Sequence, residues 1–386
     1  MDVTTDKPLL PLLEPYRREL EELARGGRLR TLKTIGDDAI NFSSNDYLGL
    51  KDDSRLKAAA VEAVERYGTG SGSSRLIAGN NELVCELEEA IAKFKNTEAA
   101  LVFNSGYQAN VAIMQSLLET DDWVFGDKLN HASLVDGMLL SGARWMRYRH
   151  LDWAHLENRV QQASPRAKKW IVTDSLFSMD GDYGDLNALC AIAEKHGALL
   201  FIDEAHATGV FGDVKSAWLC ERFGIQSKVA LQMGTFSKAL GGFGAYVAGD
   251  KILIETLVKK ARGLIYSTAL PPAVLAGAKA AIEIVQQDFS MKAALWENVR
   301  YCHEQLKKAG FEIAGPQTQI IPIAIGDDAK TMQAMDRLLA AGYFVQGIRP
   351  PTVPEGTGRL RISLSARHTK EEIDGLVAAL VSCVGR

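Results

Sequence analysis

Near the middle of the chain stands the stretch LLFIDEAH, residues 199–206, in which four apolar residues run directly into Asp203, and His206 follows three positions later. A continuous apolar run of this length predicts a strand that is buried on both faces. Asp203 would then lie at the carboxyl end of a buried strand, where a carboxylate is costly without a cationic partner. A protonated pyridine nitrogen would be such a partner; a helix cap or a pair with a lysine are the alternatives.

The alternation of short apolar runs with amphipathic segments extends over residues 80–262 on both sides of this stretch. Strand-like runs occupy 99–103, 123–126, 170–173, 199–202, 231–233 and 245–248, and helical spacing is found at 82–94, 108–118 and 185–196. A long helix predicted at 273–289 then leads toward a smaller domain. This pattern predicts an α/β fold, with a mostly parallel central sheet that helices cover on both faces. Ligands of such sheets bind at the carboxyl ends of the strands.

The C-terminal part of the sequence has a different order of predicted strands and helices, which predicts a compact α+β unit. Its predicted elements are strands at 320–325, 344–348 and 360–364 and helices at 331–341 and 370–381. We therefore expect an N-terminal helical arm at residues 1–40, a large domain at 41–275 and a smaller C-terminal domain at 276–386.

Composition excludes several classes of protein. Hydrophobic residues make up 47% and charged residues 24% of the 386 residues, and the net charge is -4, as in ordinary globular proteins rather than nucleic-acid or membrane-surface binders. Five scattered cysteines are typical of reduced thiols. The N-terminus lacks the pattern of a secretory signal, and no apolar run approaches the roughly 18 residues of a membrane span. These features predict a cytoplasmic protein without a metal site.

Three more polar segments follow predicted strands. Residues 231–242 contain Thr235 and Lys238, residues 102–110 form a Ser-Gly turn into a helix, and residues 129–134 contain His131. Each has an ordinary interpretation: a solvated lysine, a helix cap, or a histidine at a helix start. Pyridoxal 5'-phosphate (PLP), however, needs a lysine for its aldehyde, an acid for its ring nitrogen, a stacking group and phosphate donors, and these segments together with Asp203 supply all four.

The glycine-rich run GTGSGSSR at residues 68–75 does not indicate a nucleotide site. It follows a helical segment rather than a strand, and it lacks the GK[ST] sequence of a phosphate-binding loop. This argues against a dinucleotide-binding oxidoreductase and favours a close-packed loop near a ligand.

Over residues 40–385 the chain resembles the fold-type I PLP enzymes and, within them, the α-oxoamine synthases. The motifs that carry the resemblance are NFSSNDYLGL (41–50), FSMDGD (177–182), DEAHATG (203–209), TFSK (235–238) and IYST (265–268). The resemblance implies a fold-type I PLP-dependent transferase, in which the large domain binds PLP.

The resemblance also implies roles for individual residues. Lys238 would bind the PLP aldehyde, Asp203 would pair with the ring nitrogen, His206 would bond the phenolic oxygen, and His131 would stack on the ring. Ser178 would support the ring, while Gly106, Tyr107 and Thr235 would hold the phosphate. Ser267 and Thr268 would reach the phosphate of the neighbouring subunit in a homodimer. Arg361 and Asn45 would hold the amino-acid carboxylate, and Thr352 and Arg28 would bind substrate, although Arg30 is an alternative to Arg28.

The implied reaction is a decarboxylating condensation of L-alanine with a pimeloyl thioester in biotin synthesis, and the thiol carrier would be coenzyme A or an acyl carrier protein. The segment IRPPTVPEGT, residues 348–357, favours this activity over that of sister synthases that use glycine or serine. A non-catalytic partner subunit with the same fold is a further alternative. The presence of Lys238, Asp203 and His131 argues against it.

Overall fold

A computed structural model describes residues 11–26, 29–30, 32–36, 38–211 and 217–384. In these residues the strands form one large sheet and two small ones. The strands are β1 (Ile40–Asn41), β2 (Ala99–Phe103), β3 (Trp123–Asp127), β4 (Arg144–Tyr148), β5 (Lys169–Asp174), β6 (Ala198–Asp203), β7 (Leu231–Thr235), β8 (Ala245–Gly249), β9 (Ile320–Gly326), β10 (Tyr343–Phe344), β11 (Gln346–Ile348) and β12 (Gly358–Ser363).

The large sheet has seven strands in the order β2-β8-β7-β6-β5-β3-β4. Only β8 runs antiparallel to its neighbours, β2 and β7, and the other pairs are parallel. The predicted mostly parallel sheet is therefore confirmed. Because six strands run in the same direction, their carboxyl ends meet at one edge of the sheet, where a ligand site is expected.

Helices cover both faces of this sheet. The described helices are α1 (Glu14–Arg25), α2 (Ser54–Tyr67), α3 (Glu82–Lys95), α4 (Gly106–Leu117), α5 (Ala132–Ser141), α6 (Trp153–Val160), α7 (Leu186–His196), α8 (Leu219–Arg222), α9 (Lys251–Lys260), α10 (Arg262–Ile265), α11 (Pro272–Gln287), α12 (Ser290–Lys308), α13 (Asp328–Ala340) and α14 (Lys370–Val384). None of them is long and apolar enough to cross a membrane.

Each central strand contributes to two hydrophobic cores because successive side chains point to opposite faces. In β6, Leu200 and Ile202 belong to the core that includes α3, α7 and α11, whereas Phe201 belongs to the core beneath α4, α5 and α9. This explains why the strand is a continuous apolar run instead of an alternating one.

The C-terminal part contains an antiparallel sheet in the order β11-β12-β9. The prediction of a single strand at 344–348 was wrong, because this stretch serves two sheets. Tyr343–Phe344 pairs with β1, whereas Gln346–Ile348 pairs with β12, and the fully buried Val345 lies between them. The predicted boundary between residues 275 and 276 falls inside α11, and the division into domains stays a prediction.

Candidate active site

The site lies at the edge of the large sheet where β5, β6 and β7 end in Asp174, Asp203 and Thr235. Lys238 follows β7 by three residues, and α4 begins three residues after β2 ends. The topology therefore brings together segments that lie far apart in the sequence.

Asp203 is a buried carboxylate, 4% exposed, without an ion-pair partner among the described residues. Its Oδ2 accepts from Asn110 Nδ2 at 2.8 Å and its Oδ1 accepts from the Ala205 N–H at 2.9 Å. In the described residues no helix begins next to Asp203 and no lysine forms an ion pair with it, so neither alternative is observed there. A buried carboxylate in this position calls for a cationic ligand, and a protonated ring nitrogen would satisfy it.

The Lys238 amine makes no hydrogen bond and no ion pair with the described part of the chain. Burial lowers the pKa of Lys238, and the charges of Asp203 and Asp174 offset only part of this effect. A lowered pKa increases the fraction of neutral amine, which is the form that attacks an aldehyde. Lys238 is thus a partly buried lysine and not one that is fully solvated at the surface.

The first turn of α4 forms a potential phosphate site. Ser105 caps this helix by accepting from the Gln108 N–H at 3.2 Å, and the first N–H groups of a helix have no acceptor inside it. A Cβ on Gly106 would lie 2.9 Å from the Thr235 methyl, so glycine allows the turn to approach the end of β7 closely. Gly106, Tyr107 and Thr235 are thus brought together as predicted.

Ser267 and Thr268 lie beside the same turn within one chain. Gln108 Nε2 donates to Ser267 Oγ at 2.7 Å, and Asn104 Nδ2 donates to the Thr268 carbonyl at 2.9 Å. Their predicted reach into a neighbouring subunit stays a prediction.

His131 and Ser178 line a cavity of about 700 Å³, together with Thr352 and Arg30. Arg30 Nη2 donates to Thr352 Oγ1 at 3.0 Å. Arg28, predicted to bind substrate, lies outside the described residues, whereas the alternative Arg30 is at the cavity. The cavity therefore joins the predicted cofactor residues to the predicted acyl-binding residue.

Arg361 is a buried guanidinium, 5% exposed, without a carboxylate partner among the described residues. Both Nη atoms lie 3.2 Å from Asn45 Oδ1, Nη1 donates to Ser363 Oγ at 2.7 Å, and Nε donates to the Ser178 carbonyl. Neutral acceptors satisfy the hydrogen bonds of a guanidinium but leave its charge uncompensated. This arrangement suits the carboxylate of a small substrate.

His206 is buried next to Tyr47, whose hydroxyl lies 2.7 Å from His206 Nδ1. Gln319 Nε2 donates to the His206 carbonyl at 2.8 Å and so fixes the backbone. Burial, reinforced by the charges of Lys238 and Arg361, keeps the pKa of His206 well below its usual value. Tyr47 stands in the 41–50 motif, but sequence reasoning gave it no role.

Glu204, which lies between Asp203 and His206 in the sequence, belongs to a buried ion pair. Lys95 Nζ contacts Glu204 Oε2 at 2.7 Å, and Glu204 Oε1 accepts from the Cys220 N–H at 2.9 Å. Lys95 also lies over the Trp218 ring, 4.1 Å from its centroid. Glu204 follows Asp203 directly, so these contacts hold the turn that carries Asp203 and His206.

His150 contacts Asp182, which lies in the loop that carries Ser178. Its Nδ1 lies 2.9 Å from Asp127 Oδ1 and its Nε2 lies 3.0 Å from Asp182 Oδ2, so both nitrogens face carboxylates. Burial alone would lower the pKa of His150, but the hydrogen bonds to Asp127 and Asp182 raise it to about 10. The ring is therefore an imidazolium at neutral pH.

We expect the replacement His150→Gln to destabilise the fold by about 2 kcal/mol at pH 6, because it leaves two carboxylates without their cation. Since the pKa is raised in the folded state, this contribution is complete below pH 6.5 and is lost as the pH rises through about 10. Urea unfolding of both proteins at pH 6 and at pH 10.5 measures the difference. A gap that persists undiminished at pH 10.5 would show that the charge of His150 is not responsible.

These donors and charges fit PLP. Within the described residues, Asp203 and Arg361 are buried charges without ionic partners, the Lys238 amine has no partner, and the first turn of α4 offers N–H groups without an acceptor. The first turn of α4 would bind the anionic phosphate of PLP. The Asp203 carboxylate would pair with its basic ring nitrogen, and the Lys238 amine would react with its aldehyde.

Comparisons with known proteins agree with this geometry. The aminotransferase class I and II family matches residues 37–380. The 8-amino-7-oxononanoate synthase of Geobacter sulfurreducens is 48% identical over 94% of this chain and 96% of its own length. That of Geotalea daltonii is 46% identical over 97% and 98% of the two chains.

Solved structures show the same relationship. A serine palmitoyltransferase from Sphingomonas wittichii superposes with a TM-score of 0.90 at 30% identity and covers 98% of both chains. The 8-amino-7-oxononanoate synthase of Francisella tularensis gives a TM-score of 0.78 at 30% identity, over 90% of this chain and 98% of its own. Serine palmitoyltransferase structures at 29–30% identity contain PLP. This chain thus belongs to the aminotransferase class I and II family and, within it, to the PLP-dependent α-oxoamine synthases.

Proposed function

We propose that the chain condenses L-alanine with a pimeloyl thioester and releases 8-amino-7-oxononanoate, carbon dioxide and the free thiol, as a step of biotin synthesis. The observation that carries this proposal is a pair of buried charges, Asp203 and Arg361, for which the described part of the chain supplies no ionic partner, in the site that also holds Lys238. The names of relatives that are 45–48% identical support the choice of substrates.

Bound PLP would supply a carbonyl carbon for amines and a ring that withdraws electrons from the adjacent carbon. Asp203 would hold the proton on the ring nitrogen, and His206 would bond the phenolic oxygen. Arg361 and Asn45 would bind and orient the alanine carboxylate. The Lys238 amine would then take the proton from the alanine Cα, a role that its lowered pKa favours.

The acyl donor would enter through the cavity that Thr352 and Arg30 line. His131 would donate a hydrogen bond to the thioester oxygen as negative charge develops there. Exposed Arg147 and Lys128 also line this cavity and make it attractive to anionic groups. Coenzyme A and an acyl carrier protein both remain candidate carriers.

We infer further that two copies form a homodimer with shared active sites in the cytoplasm. Large apolar side chains stand exposed on this chain: Tyr107 (50%) in the first turn of α4, Tyr266 (72%) next to Ser267, and also Phe243 (55%) and Ile77 (81%). A second copy that covers them would remove this apolar surface from water. Sedimentation of the purified holoenzyme should give the mass of two chains.

A product assay tests the proposed reaction. Purified holoenzyme is incubated with alanine, glycine or serine and with acyl thioesters of several lengths, and the products are identified by mass spectrometry. Alanine with pimeloyl thioester should give 8-amino-7-oxononanoate at the highest rate. Preferred use of glycine or serine would overturn the proposal in favour of a sister synthase, and no turnover with any pair would favour a non-catalytic subunit.

A further inference from the structure

A chain of hydrogen bonds joins Asp203 to His131 through two buried side chains. Asp203 Oδ2 accepts from Asn110 Nδ2 at 2.8 Å, Asn110 Nδ2 lies 2.9 Å from Ser133 Oγ, and Ser133 Oγ lies 2.7 Å from His131 Nδ1. Asn110 is 1% and Ser133 0% exposed, so both side chains are shielded from bulk solvent. The chain therefore connects the carboxylate at the ring nitrogen with the histidine at the cavity.

The direction of each hydrogen bond follows from the chemistry of the groups. An ionised carboxylate only accepts, so Asn110 must turn its NH₂ group, rather than its oxygen, toward Asp203. That NH₂ group has two hydrogens, and the second one points to Ser133 Oγ. The buried Asn110 Oδ1 has no partner in the described residues, so the two donated bonds decide the orientation of the amide.

Ser133 Oγ accepts from Asn110, and its one hydrogen is available for His131 Nδ1. The Ser133 backbone N–H also points to Nδ1, at 3.3 Å. The backbone N–H can only donate, so it requires Nδ1 to be an acceptor without a proton, and the Ser133 hydroxyl then donates to the same atom. In the neutral imidazole the proton then lies on Nε2, which makes no hydrogen bond with the described residues.

We propose that Ser133 and Asn110 are positioning residues that hold His131 in the Nε2–H tautomer, so that this ring presents a donor to a group bound in the cavity. This inference rests on the proposed function, in which His131 meets the developing negative charge of the thioester oxygen. A ring in the other tautomer would present a lone pair to that oxygen and repel it. Because Asn110 is anchored on Asp203, a single network places both the ring-nitrogen partner and the donor.

Two measurements test this inference. The first is the ¹⁵N spectrum of holoenzyme labelled at its seven histidines, with the His131 signals identified by their absence in His131→Gln. Wild-type His131 should show an unprotonated Nδ1 and a protonated Nε2. In Ser133→Ala, which retains only the longer backbone contact, the two tautomers should mix. The second is kinetic: kcat should fall about tenfold in Ser133→Ala, whereas KM for alanine should stay within about twofold.

Ser116→Ala is the matched control, because Ser116 is also a buried helical serine, 4% exposed, but its hydroxyl donates to the Ala112 carbonyl instead. It should leave the His131 signals and kcat unchanged. A protonated Nδ1 in the wild type would overturn the inference, even if Ser133→Ala failed to fold. An unchanged tautomer and kcat in Ser133→Ala would also overturn it. The tautomer is measured without turnover, so this test remains valid if the proposed reaction is wrong.

Discussion

Turnover should fall by roughly 10⁴-fold or more when Lys238 is replaced by alanine, because the replacement removes both the covalent attachment of PLP and the base for the Cα proton. Lys238 suits both roles, since burial lowers its pKa and no described residue bonds its amine. Steady-state kinetics with alanine and pimeloyl thioester measure the loss.

The matched control is Lys228→Ala. Lys228 is an exposed lysine that pairs with Glu194 at 2.8 Å and lies outside the site, so its replacement should leave turnover unchanged. If Lys238→Ala kept more than a hundredth of wild-type turnover at saturating substrate, the role given to Lys238 would be refuted.

The second large effect is expected for Asp203→Asn, which should reduce kcat by about 10²- to 10³-fold and weaken PLP binding far less. The amide keeps the size of the side chain but loses the negative charge that holds a proton on the ring nitrogen. With that proton lost, the ring would withdraw electrons less strongly from the alanine Cα. Stopped-flow rates of Cα proton loss, together with equilibrium dialysis of PLP, separate the two effects.

Asp174→Asn provides the control for Asp203. Asp174 is the cross-strand neighbour of Asp203, and its Oδ2 accepts from the His131 N–H at 2.8 Å. Burial and the charge of Asp203 keep the pKa of Asp174 well above its usual value. An amide oxygen can accept the same bond, so kcat should change by about fivefold or less. Equal losses in both variants would contradict the specific role of Asp203.

The apolar strands of the large sheet could be predicted from the sequence because they are buried on both faces. Ala99–Phe103 agrees at both ends. The end of the helix before Gly197 could be predicted because glycine is favoured there, and Gly197 adopts a left-handed φ of 59°. The edge strand Arg144–Tyr148 was missed. Its Arg144, Trp145 and Arg147 are exposed and gave it no apolar run, whereas the other edge strand, β2, is buried along most of its length.

In the site, too, residues that belong to short sequence motifs could be predicted, whereas residues whose partners lie far away in the sequence could not. Lys238, Asp203 and His131 stand in short motifs at strand ends, so their places could be predicted. Asn110 and Tyr47 were missed because their partners lie 93 and 159 residues away, and only the fold brings them together. A polar residue on the inner face of α4, among apolar neighbours, is the signal that could have indicated Asn110.

Borohydride reduction of the holoenzyme, followed by peptide mass spectrometry, tests most directly whether this site works as a PLP enzyme. Reduction makes the bond between cofactor and protein permanent, so the modified residue can be read from the peptide. The mass of the reduced cofactor should appear on the peptide that contains Lys238 and on no other. A cofactor mass on another lysine, or an unmodified Lys238 in PLP-saturated protein, would contradict the account.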